Sequence, residues 1–274
     1  METLTIEPTY RVPLGNVRRF RLPLVGAGGT GSSLALHLAA LAYHARQQGI
    51  EVAITLVDHD LVEHKNCGRQ SLSVQAAHLG NVPKVADLAL RLNAAYGLDM
   101  AAWSLPFTTQ VAAEWLHGQN RGSGAVAHLI LGCVDNHLAR QELAKTVAYY
   151  RGQVWAIDCG NEFENGQILI GNLAEGSQIK IDALGLCSGL PSPYCQEPEL
   201  LQAEPQQPEE SCAVRTLAGT QSLMVNRMAA TLAAQYAAVF ILQQQVLHLG
   251  TVFTLNPPTA NSRLITETTL RPYL

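Results

Sequence analysis

Arg21-Leu22-Pro23-Leu24-Val25-Gly26-Ala27-Gly28-Gly29-Thr30-Gly31-Ser32 decides the fold, because a short apolar run meets a glycine loop and leucine and alanine then recur at helical spacing, at Leu34, Leu38, Leu41 and Ala45. The order is strand, tight turn, helix. Residues 52–57 follow as an apolar, β-branched run without alternation, which is how a strand covered on both faces of a parallel sheet reads.

Working outward, residues 84–96 repeat Val85, Leu88, Ala89 and Leu92 at helical spacing, and residues 100–105 predict a third strand. Residues 125–134 read as a fourth strand, 136–150 as a helix, and 154–158 and 167–171 as two more strands. This alternation predicts an α/β protein with a Rossmann-like, doubly wound, mostly parallel sheet. Prolines 191, 193, 198, 205 and 208 then break the periodicity, predicting a long crossover loop over about 184–211. An alanine-rich helix over 217–249 and a closing strand over 251–255 make up a mixed C-terminal extension. We expect a single domain over 1–274, with a nucleotide-binding core at about 20–173 and the C-terminal part at about 212–274.

The 274 residues are 47% hydrophobic, enough for one large core, and only 15% charged, with a net charge of -4. Without a basic cluster, nucleic acid is not an expected partner. The acidic N-terminus lacks a basic region followed by an apolar run, so a cytoplasmic location is expected. The apolar stretch 228–242 is interrupted by Gln235 and followed by three glutamines, and no membrane span is expected. The six cysteines never form Cys-x-x-Cys, so no structural zinc is expected.

Three further motifs follow the loop: Asp58-His-Asp60 leading to Asn66-Cys-Gly-Arg69-Gln70, then Pro83-Lys84, then Asp135-Asn136. Gly26 permits the turn, Gly28 lets backbone approach a phosphate, and Gly31 allows close packing of the helix, with Gly29 in the same loop. Asp58, ending the second strand, either accepts from ribose hydroxyls or caps a turn. Asp60 suits a metal, a hydrogen bond or a cap equally. Arg69 and Lys84 together suit charge developing on phosphoryl oxygens and on pyrophosphate, which a hydride transfer does not create. Asp135, after the fourth strand, is placed either to hold magnesium or, with Asn136, to cap the next helix. His59 and His64 match no familiar metal-binding spacing.

This set resembles the ThiF/MoeB/HesA family, bacterial relatives of the ubiquitin-activating enzymes, over about 22–173 and again near Cys212. Asp158-Cys-Gly-Asn161, Gly166-Gln167, Ser211-Cys212 and residues 221–226 are more narrowly similar to the ThiF-like component of PRTRC systems. The resemblance implies that ATP adenylates the C-terminal carboxylate of a small ubiquitin-like or sulfur-carrier protein and that pyrophosphate leaves. It implies nucleotide contacts from Gly26, Gly28, Gly29, Gly31, Asp58, Asp60, Asn66, Arg69, Gln70 and Lys84, magnesium on Asp135, and a homodimer. In some relatives a cysteine takes over the adenylate, which makes Cys212, and secondarily Cys195, a candidate nucleophile, each with a buried apolar thiol as the alternative. Lys65 stands where the family often has Ser, the zinc pairs are missing, and of an N-terminal arginine that crosses the dimer only Arg18 and Arg19 are possible substitutes. Two other functions stay open: a nucleotide-binding pseudoenzyme or assembly component, and an NAD-dependent oxidoreductase resting on the glycine loop and Asp58 alone.

Overall fold

A computed structural model describes residues 7–118, 125–203 and 223–274. Its centre is an eight-stranded sheet in the order β10-β9-β7-β6-β5-β2-β3-β4, formed by β2 (Arg19–Val25), β3 (Glu51–Val57), β4 (Ala101–Trp103), β5 (Val126–Gly132), β6 (Val154–Asn161), β7 (Asn165–Gly171), β9 (His248–Leu255) and β10 (Pro258–Leu264). A two-stranded ribbon pairs β1 (Val12–Pro13) with β8 (Gln245–Val246). From β6 to β4 all neighbours are parallel, whereas β7, β9 and β10 run antiparallel. The doubly wound sheet with a mixed extension is therefore present. Its turning point lies between β2 and β5, and in such sheets ligands sit at the carboxyl ends of the strands flanking that point.

On one face, α1 (Gly29–Gln47) and α3 (Lys84–Tyr96) cover the sheet beside α7 (Val225–Ala238), and Leu34, Leu38, Leu88, Ala229, Ala233 and Phe240 are fully buried there. The other face is covered by α4 (Thr109–Gly118) and α5 (His137–Tyr149), with Ile130, Leu143 and Trp115 in its core. Short helices α2 (Val74–Leu79) and α6 (Pro193–Gln196) complete the elements near the site.

Three expectations need correction. The helix expected over 217–249 is described from Val225 and stops at Gln243, after a π turn, because Gln244 takes a left-handed backbone (φ 54) and its side-chain amide pairs with both backbone groups of Val17. Leu249, counted as helical, lies in β9. The expected crossover loop is structured in its described part, where Leu186, Cys187 and Pro191 form isolated bridges, α6 follows, and Leu190 and Tyr194 are buried. Prolines broke the periodicity there because the elements are too short to show one. The helix Val225–Gln243 is also long and apolar enough to cross a membrane by length and composition, more than expected from the glutamines. Here it packs on α1 and on β6 and β7 as a core helix.

Arg21 and His128 are direct neighbours on β2 and β5. Arg21 is buried and pairs with Glu51 at 2.6 Å, while His128 lies with its ring 5.2 Å from Trp115 and its Nδ1 buried without a hydrogen-bond partner. Burial, helped by the Arg21 charge, pushes the His128 imidazole down to about 4 from its usual 6.5. The folded chain thus binds fewer protons than the unfolded one between those values, so stability is full above pH 6.5 and falls as pH drops toward 4. His128→Leu should remove this contribution, worth up to about 1.4 kcal/mol per pH unit. Urea midpoints at pH 7.5, 5.5 and 4.5 check it, and an acid loss as steep as in the parent chain contradicts it.

Candidate functional site

The loops that follow β2, β3 and β5 meet at the carboxyl edge of the sheet. Gly26 N–H donates to Val57 O (2.9 Å) and Cys133 N–H to Val25 O (2.8 Å), extending the strand ladder into the glycine loop. Gly26 sits at φ 90, and a Cβ there would meet Cys133 O at 2.6 Å. A Cβ on Gly31 would stand 1.8 Å from Gly26 O, so helix and loop pack without room for a methyl. At Gly28 the reverse holds: a Cβ would meet nothing within 4 Å. Gly28 is also the N-cap of α1 and offers no capping side chain. The first N–H groups of a 19-residue helix thus have no capping side chain from Gly28, beside which there is open space, and such a helix start can bind an anion.

Asp58 closes one side of this cradle. Its carboxylate accepts from the Ala27 and Asp60 N–H groups (2.5 and 2.7 Å), which fixes the loop against β3. Asp60 turns to Lys84, whose ammonium lies 2.7 Å from Oδ2, and Lys84 N–H donates to Asp60 O at 2.9 Å. The Lys84 side chain is only 7% exposed, whereas that of Asp60 is 53% exposed. Burial opposes ionisation of Asp60, but the Lys84 ammonium outweighs it and holds the carboxyl below its ordinary value. Of the roles open to Asp60, the hydrogen-bonded one is observed. Asp58, His59 and Asp60 also bring one potential metal-binding atom each within 4.8 Å of one another.

The segment carrying Arg69 is pinned from both sides. Asn66 is buried in a short 3-10 turn, where its Oδ1 accepts from Glu63 N–H and its carbonyl from Gln70 N–H. Ser71 N–H donates to Ser32 Oγ on α1, while Arg91 and Asp87 of α3 hold Ser71 and Ser73. Between these anchors Arg69 Nε and Gln70 Oε1 are buried without a hydrogen-bond partner. A buried donor and acceptor left open are costly.

Asp135 is exposed beyond the end of β5, and the cap of α5 is made by Asn136, whose Oδ1 accepts from Ala139 N–H at 2.8 Å. Of the two roles weighed for the Asp-Asn pair, the helix cap is made by Asn136. Arg18 and Arg19 stand at the amino end of β2, the opposite edge of the sheet, so neither reaches the glycine loop of its own chain. Cys195 lies in α6 with Sγ near Leu173 O (3.5 Å) and Ser192 Oγ (3.3 Å). Cys212 lies outside the described residues.

Two clusters escaped the sequence reading. Arg140 meets Asp158 at 3.4 Å in near-complete burial, with Tyr194 O–H at 3.5 Å. Burial pushes the Asp158 carboxyl up against the pull of Arg140 and Tyr194. Thr30, Asn161 and Asn226 form the second cluster, directly against the loop: a Cβ on Gly29 would fall 2.6–2.8 Å from the Asn226 amide. A buried asparagine in the first turn of an alanine-rich helix is the feature that marks it. A separate depression of about 450 Å³ between Arg11, Asn16, Leu186 and Gln244 involves none of the loop residues.

The family model described as the ThiF family matches residues 12–272. Solved structures with the same fold include PaaA (15% identical, TM-score 0.56, 91% of this chain and 65% of that one). E. coli MccB solved with ATP is similar too (16%, TM-score 0.55, 92% and 65%), as is MccB solved with AMPCPP and MccA (16%, TM-score 0.53, 92% and 65%). The chain thus spans 65% of the length of these structures. No curated protein matches it by sequence.

Proposed function

Since the chain belongs to the ThiF family, we propose that it is an ATP-dependent adenylyltransferase acting on the C-terminal carboxylate of a small ubiquitin-like or sulfur-carrier protein, within a PRTRC-type system. The observation that carries this reading is the uncapped start of α1 at Gly28, where a Cβ would meet nothing, together with the chain of contacts that ties the loop through Asp58 and Asp60 to the buried Lys84. MccB, a structural neighbour, was solved with ATP and with MccA, which supports a nucleotide and a small partner as the two substrates.

A carboxylate oxygen attacks the α-phosphorus of ATP, the bond from that phosphorus to the bridging oxygen of pyrophosphate breaks, and an acyl-adenylate forms. A C-terminal carboxyl is already ionised near neutral pH, so no general base is needed. The chain's contribution is placement and charge. The α1 N–H groups seat a phosphate, Asp58 holds the loop and stands where ribose hydroxyls would be accepted, and Arg69 and Lys84 offset the charge that develops on the departing pyrophosphate. Magnesium would be held by Asp135, an exposed carboxylate just past the carboxyl end of β5, and bound there it would neutralise phosphoryl oxygens. A homodimer is the expected assembly.

ATP–pyrophosphate exchange with small carrier proteins encoded beside this chain tests the proposal, and exchange that depends on the carrier is the expected result. Calorimetry should find ATP with magnesium bound and NAD not bound. Binding of ATP without exchange for any carrier would reduce the protein to a nucleotide-binding assembly component, and preference for NAD would overturn the reading altogether.

A further inference from the structure

We propose that Asn226 is a phosphate-binding residue whose side-chain Nδ2 donates to a phosphoryl oxygen held at the start of α1. The inference rests on the nucleotide reading of the same site. Asn226 belongs to the first turn of α7, which packs along α1, and it is only 4% exposed. Its Oδ1 is fully engaged: Thr30 Oγ1 donates to it at 2.9 Å and Asn161 Nδ2 at 3.2 Å. With two donors on the oxygen, the nitrogen faces the other way.

That nitrogen has no partner, although it is buried. The Asn226 amide lies against the first residue of α1, with Nδ2 2.7 Å and Oδ1 2.8 Å from where a Gly29 Cβ would be, one residue after the open position of Gly28. A donor kept unpaired in the interior is unfavourable unless a ligand supplies the acceptor. The helix start offers N–H groups of the same polarity to the same place, and an anionic oxygen is the acceptor that suits both. The Thr30 hydroxyl supports this arrangement. A hydroxyl in the first turn of a helix can turn back and occupy backbone N–H groups. Here its single proton is directed to the two asparagines, with Asn226 Oδ1 at 2.9 Å and Asn161 Oδ1 at 3.4 Å, which leaves those N–H groups to the phosphate.

Glycine at position 29 follows from the same contact, since any side chain there would displace the amide. Neither loop geometry nor helix propensity requires it, because Gly29 does not have a positive φ.

The test compares ATP with adenosine, which shares the base and ribose but has no phosphate. Asn226→Ala should weaken ATP binding by about ten- to a hundredfold, the usual worth of a hydrogen bond to a charged group. Asn226→Asp keeps an oxygen for Thr30 and Asn161, and so should keep the fold, but it sets a carboxylate where the donor stood. It should lose at least as much ATP affinity. Adenosine should bind both variants within about twofold of the parent chain, since a phosphate contact leaves the nucleoside untouched. Thermal unfolding of both proteins checks their integrity, and the aspartate variant carries the test if the alanine variant does not fold. ATP affinity unchanged in Asn226→Asp, or adenosine affinity falling in parallel, would overturn the inference. Failure of the parent chain to bind ATP at all would instead sink the proposed function.

Discussion

Lys84→Ala is expected to lower kcat/KM for pyrophosphate exchange by about 10²–10³, the typical effect of removing one preorganised donor from a charge-stabilising site. The ammonium is nearly sheltered from water, held at 2.7 Å by Asp60, while the backbone bond from Lys84 N–H to Asp60 O fixes the start of α3 on the loop after β3. A cation placed in this way needs no reorganisation when charge appears on the leaving group. Stability should change little, because the partner left behind is half exposed and such pairs contribute about 0–1 kcal/mol. The Asp60 contribution is present above the ordinary carboxylate pKa and lost only as pH falls through the lowered value, so exchange assays near neutrality do not disturb the pair. Lys84→Arg should not rescue, since a longer planar group does not fit a point-charge position closed to 7% exposure. Steady-state exchange alongside urea unfolding makes the measurement. Activity within about threefold of the parent chain, with the fold intact, contradicts the role assigned to Lys84.

The sheet's parallel half was legible because its signals are local. Glycine punctuation after β2 and unbroken apolar runs in β3 and β5 follow from tight turns and two-sided burial, which act within a few residues. The antiparallel half was only partly legible. β10 is exposed along most of its length and carries Pro258, Asn261, Ser262 and Arg263, so no alternating pattern marks it; its place is set by pairing with β9. At the site, Asp58, Arg69 and Lys84 stood in a readable order, yet the Asp60 to Lys84 ion pair joins residues 24 positions apart in sequence. The contact from Asn226 to Thr30 spans 196 positions. Such a meeting depends on how α7 lies on α1, which hydrophobic packing decides and no local pattern encodes. Gly29 illustrates the difference: its identity looked like part of a loop motif, and its physical reason is an amide from the far end of the chain.

Asp135→Ala should abolish exchange, a loss of about 10³ or more if the metal's charge neutralisation goes with the carboxylate, while the protein still folds. Asn136→Ala, one residue away, should do the opposite. Asn136 accepts from Ala139 N–H and caps α5, so its removal should cost about 1 kcal/mol of stability and leave most of the exchange activity. The contrast matters because both residues follow β5 and share the two readings that an Asp-Asn pair invites. If Asp135 served the helix rather than the metal, both variants would lose stability and neither would lose exchange selectively. If Asp135 holds magnesium, its variant should also lose the dependence of ATP affinity on magnesium concentration, whereas the Asn136 variant keeps it. Titrating ATP at several magnesium concentrations reads that dependence directly, without relying on turnover or on knowing the carrier. A magnesium dependence that survives Asp135→Ala would move the metal elsewhere, and among the described residues the Asp58, His59 and Asp60 group is the next set of ligand atoms close enough together to be tested.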